Sequence, residues 1–384
     1  MSETTTAAKG LEGVVIAQSQ KSKVDGLIGK LQYHGYNILD LAEHATFAEV
    51  IYLLWNNKLP TQSELDAFKK ELFAERGLPS EIAAIMKQIP ADAHPMAVLR
   101  TAVSALGALD PTAEDTSPES NFRKLRRLTA VMPTLVAAWE RIRNGKEPVA
   151  PRSDLGLAAN FLYMMTGEEP SKTAVDAIDS FLILLADHGM NASTFSARVT
   201  TGTLADVYSA VTTAIGTLKG PAHGGANQKA MEQFQSIGSP DNVKAWFDES
   251  MAIDRRIMGI GHRVYKAEDP RATILRQRSK ALAEEVGGEI SDWFQVAYQL
   301  EQLARAHEYF QERNLYANVD YYSAIVLYQA GIPVDQFTPL FAMSRVAGWS
   351  AHIMEQWADN RLIRPRAEYI GPEDLEWVPI DQRS

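Results

Sequence analysis

Two segments of the chain are apolar on nearly every side when they are drawn as helices, and they restrict the fold more than any other feature. They are SAVTTAIGTLKG at residues 209–220 and LILLAD at residues 182–187. A helix without a polar face has to be surrounded by other protein. These segments therefore predict the centre of a multi-layer helical assembly or a subunit interface.

Helix signals continue through most of the chain. Thr46 and Thr61 are each followed three residues later by a glutamate, Glu49 and Glu64, which is the capping-box pattern of a helix start. Further segments repeat apolar residues at helical spacing. The pattern predicts a mostly α protein of about fifteen helices.

Only residues 11–34 have strand character, with loosely alternating apolar residues and a turn signal at Asp25-Gly26. We expect one or two short strands there. A chain of 384 residues exceeds one ordinary core, which favours two domains. The glycine- and proline-rich stretch KGPAHGGANQ at 219–228 is the best candidate for the boundary, and no repeat indicates a solenoid.

Composition excludes several classes of protein. The sequence has no cysteine, which excludes disulfides, thiolate nucleophiles and cysteine-bound metal, and favours the cytoplasm. The net charge of -10 makes nucleic acid a poor partner. No apolar run approaches the roughly 18 residues of a membrane span, and no secretory leader is recognised.

Two glycine-flanked histidines are the strongest candidates for chemistry. His223 lies in GPAHGGAN and His262 in GIGHRVYK, and glycine lets the backbone approach a ligand closely. Arg263, Lys266 and Arg271 follow His262, which favours an anion-binding loop in this acidic protein. The competing interpretations are a chance histidine on a helix–helix turn and a solvated charged loop.

One carboxylate and two arginines lie further along the chain. Asp320, in YANVDYYSA, leads into an apolar segment, where desolvation would raise its pKa toward that of a useful general base. A helix N-cap is the competing interpretation. Arg345 in SRVAGW and Arg364 in RLIRPRAEY could each bind a carboxylate with two N–H groups, although surface arginines look the same in sequence.

Together these residue types suit proton abstraction next to a carbonyl, on substrates that carry carboxylates. The α-proton of a thioester is a weak acid, so a carboxylate base alone does not remove it. A neutral histidine beside the base can stabilise the enolate oxygen as it forms. The pattern predicts that a carboxylate acts as the base, that a neutral histidine stabilises the enolate, and that arginines bind a substrate with two carboxylates.

Five motifs, in order and spacing, resemble those of the citrate synthase family: LKGPAHGGAN, MGIGHRVYKAEDPRA, YANVDYYSA, SRVAGW and RLIRPRAEYIGP. The similarity runs from about Gly10 to the C-terminus and is to the shorter form of the family, whose close relatives include 2-methylcitrate synthase. The resemblance implies an all-α fold of about twenty helices with a minor N-terminal β element, in an obligate homodimer.

The resemblance also implies a large domain and a smaller mobile domain. The large domain would comprise residues 1–223 and 331–384, with the dimer contacts and the oxaloacetate site. The small domain would comprise residues 224–330, bind acyl-CoA and close over the site. No cofactor is implied, because coenzyme A arrives as part of a substrate, acetyl-CoA.

By the same resemblance, the catalytic residues are His223, His262 and Asp320. Asp320 would take a proton from the acetyl methyl group, and His223 would donate a hydrogen bond to the thioester oxygen. His262 would polarise and protonate the oxaloacetate ketone. Citryl-CoA would then form and be hydrolysed to citrate and coenzyme A.

The resemblance assigns oxaloacetate binding to His188, Arg271, Arg345 and Arg364, and it places Phe341 against the substrate. Arg364 would come from the partner subunit, so that each site is completed by the dimer.

For coenzyme A, the resemblance implies contacts from Ile260, Gly261 and Lys266, with Lys266 near a phosphate. One departure from the family pattern is Ala222, where many relatives have leucine. The histidine and glycines beside it are intact, so we expect altered packing and retained activity.

Three alternatives stay open. A 2-methylcitrate synthase would use the same residues on propionyl-CoA, alone or with acetyl-CoA, since one methylene is worth only about 1–3 kcal/mol in an apolar pocket. A non-catalytic, CoA-binding or regulatory helical protein would keep the fold without needing the base. A metal hydrolase with histidine ligands is the third, but no HExxH or comparable spacing supports a metal site.

Overall fold

The computed structural model describes residues 9–11 and 13–383, and helices dominate it. Seventeen α-helices lie in this part of the chain: α1 Ile38–His44, α2 Phe47–Asn56, α3 Gln62–Ala74, α4 Ser80–Met86, α5 Pro95–Leu109, α6 Pro118–Arg143, α7 Leu157–Thr166, α8 Lys172–Leu185, α9 Ala192–Gly202, α10 Val207–Leu218, α11 Ala226–Ile237, α12 Val243–Ala252, α13 Pro270–Val286, α14 Gly288–Ala306, α15 Glu308–Glu312, α16 Val319–Gln329 and α17 Phe337–Ala358. Short 3-10 helices span Lys9–Leu11, Pro240–Asn242, Val334–Gln336 and Ile380–Gln382.

A small antiparallel sheet lies near the N-terminus. Its strands are β1 Ser22–Asp25, β2 Lys30–Tyr33 and β3 Tyr36–Asn37, in the order β1-β2-β3. Val24 pairs with Leu31, so the β1–β2 turn begins at the predicted Asp25-Gly26 step. The prediction of an all-α fold with a minor N-terminal β element is confirmed, with one strand more than the pattern indicated.

The predicted helix starts are confirmed at α2 and α3. The Glu49 carboxylate accepts a hydrogen bond from the Thr46 backbone N–H at 2.7 Å, and Glu64 accepts one from the Thr61 N–H at 2.8 Å. Both helices begin at the residue after the threonine. The reciprocal bonds satisfy donors that have no partner within the helix.

The two apolar segments occupy different depths of the structure. Residues 182–187, at the end of α8, are almost completely inaccessible to solvent. Residues 209–220, mostly in α10, bury Val211, Ile215 and Leu218 but leave Thr213 exposed. The first segment is therefore central, and the second keeps one face at the surface of the single chain.

Helix α17 crosses the middle of the molecule and is buried along most of its length. It packs against α2, α6, α8 and α9. Helix α13 packs against α14 and α16, and also contacts α1 and α8. In the part of the chain that the structure describes, every helix is too short or too polar to span a bilayer.

Candidate active site

A cavity of about 510 Å³ lies where seven segments of the chain meet. These are β1, the loop between α8 and α9, the α10–α11 turn, the loop before α13, the start of α13, the start of α16, and α17. Seven residues singled out from the sequence line it: His188, His223, His262, Arg271, Asp320, Phe341 and Arg345. The structure therefore brings the three proposed catalytic residues together with most of the proposed oxaloacetate ligands.

The turn that carries His223 depends on glycine. The His223 N–H bonds to the Gly220 carbonyl at 2.9 Å, and the Gly224 N–H bonds to the Leu218 carbonyl at 3.0 Å. A Cβ atom on Gly224 would lie 2.4 Å from the Leu218 carbonyl oxygen. Only glycine fits this close approach, so the GPAHGGAN pattern is a specific turn that holds His223 at the cavity.

The His223 ring is neutral and its proton can be assigned. The Ser193 backbone N–H donates to Nε2 at 3.2 Å, and since a backbone N–H cannot accept, the ring proton resides on Nδ1. Burial, followed by the positive charge of Arg345, lowers the pKa of His223 to about 4. Trp349 Nε1 donates to Ser193 Oγ at 3.1 Å and holds the serine in place.

His262 has the opposite tautomer. The backbone N–H groups of Val264 and Tyr265 donate to His262 Nδ1 at 3.0 and 3.1 Å, which places the ring proton on Nε2. Burial, followed by the charge of Arg271, lowers the pKa of His262 to about 4. The ring is therefore a neutral N–H donor near pH 7.

The GIG segment before His262 pairs with the backbone that leads into α16. Ile260 forms an antiparallel bridge with Ala317. The Asn318 N–H bonds to the Gly259 carbonyl at 2.8 Å, and the Asn318 side-chain amide donates to the Gly261 carbonyl at 2.7 Å. Gly259 and Gly261 both have positive φ, which explains the glycines. This pairing fixes His262 relative to Asp320.

Asp320 is the second residue of α16, not its N-cap. The cap is Asn318, whose side-chain oxygen accepts from the Asp320 N–H at 2.9 Å, so the N-cap interpretation of Asp320 is wrong. Burial raises the pKa of Asp320 to about 6, and the charge of Arg271 opposes this rise. A carboxyl with this pKa is mostly ionised at pH 7 and remains a stronger base than an ordinary aspartate.

Arg271 is only 2% exposed and is held by a carboxylate. Its Nε and Nη2 donate to the two oxygens of Asp269 at 3.0 and 2.9 Å. Asp269 also accepts from the Val319 N–H at 3.1 Å, beside Asp320. Much of the guanidinium is thus engaged within the protein, and the remaining N–H groups are those available to a ligand.

Arg345 is also 2% exposed, so the interpretation as a surface arginine is wrong. Its Nε donates to the Leu185 carbonyl at 2.6 Å, and its guanidinium carbon lies 4.7 Å from the centre of the Phe341 ring. Burial lowers the pKa of Arg345 to about 10, which still leaves it charged near neutral pH. Phe341 in turn lies 6.5 Å from His223, ring centre to ring centre.

His188 completes this wall of the cavity. Its Nε2 lies 3.2 Å from the Tyr265 hydroxyl. Burial, followed by the charges of Arg271 and Arg345, lowers the pKa of His188 well below its usual value. The ring is therefore neutral beside two cations.

Ile260 and Gly261 line a neighbouring cavity of about 500 Å³, which shares His262 with the first. Arg255 and Arg256 also line it, and no pattern in the sequence selected them. Lys266 is exposed and lies outside both linings, although its backbone N–H bonds to the Gly26 carbonyl at 2.8 Å.

Arg364 is the one proposed oxaloacetate ligand that this chain does not bring to its own cavity. It lines a separate cavity of about 960 Å³, formed by segments from both ends of the chain. Among the described residues, no group of three or more His, Cys, Asp or Glu side chains is placed to hold a metal ion.

Several residues that support the site were missed at the level of sequence. Asp269 and Asn318 each lie two residues before a selected residue, a spacing typical of local side-chain caps, and this signal was available. Ser193 contacts His223, and Trp349 contacts Ser193, only through the tertiary fold. Trp349 ends the SRVAGW motif, but nothing in the sequence connects it with Ser193 or His223.

Comparison with known proteins agrees with the motifs. The family model described as the C-terminal domain of citrate synthase matches residues 10–366. Citrate synthase 2 of Bacillus subtilis is 49% identical over 380 residues, which cover 99% of this chain and 100% of the relative. A 2-methylcitrate synthase of Mycobacterium tuberculosis is 42% identical over 365 residues, which cover 95% of this chain and 91% of the relative.

Among solved structures, a similar one is the citrate synthase of Thermoplasma acidophilum in a ternary complex with carboxymethyl coenzyme A and oxaloacetate. Its TM-score is 0.92 at 34% identity, and the match covers 98% of this chain and 100% of that chain. The full-length match, the shared fold and the five motifs lead to one conclusion: the chain belongs to the citrate synthase family.

Proposed function

We propose that this chain condenses acetyl-CoA with oxaloacetate and water to give citrate and coenzyme A. The observation that carries the proposal is one cavity lined by an aspartate with a raised pKa and by two neutral histidines protonated on different nitrogens. Support also comes from relatives named citrate synthase that match over the full length.

In the first step, Asp320 removes a proton from the methyl group of acetyl-CoA. The C–H electron pair moves to the thioester oxygen, where negative charge develops. The Nδ1–H of His223 donates a hydrogen bond to this oxygen, and a neutral imidazole suits the task because it is a closer pKa match to an enol than a cation is.

In the second step, the enolate carbon attacks the ketone carbon of oxaloacetate and a C–C bond forms. His262 donates its Nε2–H to the ketone oxygen, which becomes the hydroxyl of citryl-CoA. Arg271 and Arg345 balance the substrate carboxylates, and burial together with their charges keeps His223 and His262 neutral. Water then attacks the thioester and gives a proton back to the His262 ring. The C–S bond breaks, the proton held by Asp320 passes to the sulfur, and coenzyme A leaves as the thiol with both side chains in their starting states.

The cavity that shares His262 is our proposed site for coenzyme A. It lies directly beside the cavity of the reacting groups, and Arg255 and Arg256 supply positive charge for phosphates. Both arginines line this cavity, whereas Lys266 does not. Ile260 and Gly261 would contact the pantetheine.

We also propose a homodimer in which Arg364 enters the partner's site. Beyond Arg361 the chain continues without regular structure to a short 3-10 helix, and it exposes large apolar side chains, among them Ile370 at 91% and Trp377 at 78%. Apolar surface of this extent is expected to be covered, and a second subunit would cover it.

The two-domain organisation remains part of the proposal, with residues 224–330 as a small domain that closes over residues 1–223 and 331–384. The contacts of Lys266 with Gly26 and of Tyr265 with His188 cross this boundary.

The reaction as written needs no metal or cofactor, since imidazole and carboxylate groups supply every proton transfer. The absence of cysteine supports the cytoplasm as the compartment.

The second candidate function is 2-methylcitrate synthase, alone or as a dual activity. It is supported by the 42% identical relative and by Ala222, a small side chain that lines the cavity beside His223. An extra methyl group on the acyl chain would find more room beside alanine than beside a larger residue.

The test measures free thiol released from acetyl-CoA and from propionyl-CoA with oxaloacetate, and identifies the products. We expect thiol release that requires oxaloacetate and is faster with acetyl-CoA. A large preference for propionyl-CoA would replace our first choice with the second. Binding of oxaloacetate without thiol release from either thioester would instead indicate a non-catalytic protein.

A further inference from the structure

Tyr265 contacts His188 and His262, two histidines that line the cavity near Arg271. Tyr265 does not line the cavity itself. Its side chain is 2% exposed. Its hydroxyl lies 3.2 Å from His188 Nε2, and its backbone N–H donates to His262 Nδ1 at 3.1 Å. One residue thus holds a nitrogen of each ring.

The aromatic ring of Tyr265 supports the same group of side chains. Its centre lies 5.6 Å from that of His188 and 4.9 Å from that of His262. The guanidinium carbon of Arg271 lies 5.6 Å from the Tyr265 ring centre. His188, His262 and Arg271, which all line the cavity, therefore pack against the ring of Tyr265.

His188 has a particular need for this support. Burial and the charges of Arg271 and Arg345 lower the pKa of His188, so the ring stays neutral and forms no ion pair that would hold it in place. Burial raises the pKa of Tyr265 to about 12, so the phenol keeps its proton and remains a hydrogen-bonding partner at any physiological pH. The hydrogen bond to Nε2 fixes the rotation of the imidazole.

We propose that Tyr265 is a positioning residue for the 2-oxo diacid. Its hydroxyl orients His188 toward the substrate carboxylate, and its ring packs against Arg271 and His262 and keeps them in place. The inference rests on the proposed function, because it takes oxaloacetate as the ligand of this wall. Tyr265 itself makes no contact with the reacting atoms. It acts on affinity through His188.

The test is Tyr265→Phe, which keeps the ring and removes only the hydroxyl. A lost neutral hydrogen bond that orients one ligand group is expected to raise the dissociation constant and the KM of oxaloacetate about tenfold. We expect kcat to stay within about twofold, because Asp320, His223 and His262 keep their positions. The KM of acetyl-CoA should not change.

A double-mutant cycle separates positioning from general packing. Calorimetry measures oxaloacetate binding to wild type, Tyr265→Phe, His188→Ala and the double variant. If the hydroxyl acts through His188, then removing it in the His188→Ala background changes the dissociation constant by less than about twofold. Independent, multiplicative effects would overturn the inference.

Tyr208→Phe is the matched control, since it also removes a buried hydroxyl, one that donates to Asp110 at 2.6 Å away from this cavity. Thermal unfolding of both variants shows whether stability changes alike, and only Tyr265→Phe should weaken oxaloacetate binding. Wild-type protein that neither binds oxaloacetate nor releases thiol would contradict the proposed function. An active wild type with unchanged oxaloacetate affinity in Tyr265→Phe would contradict this inference alone.

Discussion

We expect ionised Asp320 to destabilise the folded protein, and Asp320→Asn tests this expectation. Burial raises the pKa of Asp320 from 3.8 to about 6. The folded state therefore binds the proton more tightly than the unfolded state does, and the free energy of unfolding falls as pH rises from about 4 to about 6. One pKa unit corresponds to about 1.4 kcal/mol, so the full penalty is about 3 kcal/mol above pH 7.

The asparagine in Asp320→Asn carries no charge, so its burial does not incur the cost of desolvating a carboxylate. Solvent in the cavity screens part of the charge, so we expect Asp320→Asn to raise the free energy of unfolding by about 1–3 kcal/mol at pH 8. At pH 5 the gain should be about half as large, because the wild-type carboxyl is then mostly protonated in the folded state. The same variant should lose several orders of magnitude in kcat with little change in oxaloacetate affinity, since the base acts mainly in the transition state.

Urea unfolding at pH 5 and pH 8, at one protein concentration, measures the difference between wild type and variant. Asp292→Asn, which removes an exposed carboxylate on α14, controls for the change in net charge. A variant that is less stable than wild type at pH 8 would refute the reasoning. So would a stability difference that is the same at both pH values, because the carboxylate would then not be desolvated.

The remaining predictions concern rate, specificity and geometry. The kcat/KM of acetyl-CoA should rise with pH through about 6 as Asp320 ionises and then stay level to pH 8; a rate profile without this limb would remove Asp320 as the base. Ala222→Leu should lower propionyl-CoA turnover relative to acetyl-CoA by about tenfold in competition assays, whereas an unchanged ratio would place the acyl group elsewhere. Gly26→Ala puts a Cβ atom 2.1 Å from the Val264 carbonyl oxygen and should reduce kcat/KM at least tenfold by displacing the His262 loop. Gly77→Ala, which meets no atom within 4 Å, should keep wild-type kinetics.

Local signals predicted those elements whose structure is decided locally. The capping boxes of α2 and α3 depend on side chains three residues apart, and the β1–β2 turn depends on adjacent residues. In each case the interactions that form the element lie within a few residues of one another.

Helices α9 and α11 have only weak helical signals in their own sequences, and tertiary contacts stabilise them. Helix α9 is rich in serine and threonine, which favour helices weakly, and its packing against α10 and α17 supplies the stability. Helix α11 is mostly polar and follows two glycines, yet it buries Met231 and Phe234 against its neighbours. Neither sequence has a strong helical pattern of its own.

Seven of the selected residues line the cavity, whereas Arg364 and Lys266 do not, and sequence could not give the electrostatic state of those that do. That Arg345 is buried while Lys266 is exposed follows from packing that no local pattern records. The tautomers of His223 and His262 depend on backbone N–H groups, and that of His223 comes from Ser193, thirty residues away. The selection of residues was therefore predictable, whereas their protonation states needed coordinates.

The cavity draws on residues from Val24 to Arg345, so nearly the whole chain takes part in it. During translation, the hairpin and the His188 loop emerge long before α16 and α17 leave the ribosome. A chain that ends before α17 lacks Phe341 and Arg345, and with them one wall of the cavity. We therefore expect condensation activity to appear only after nearly the whole chain has been synthesised.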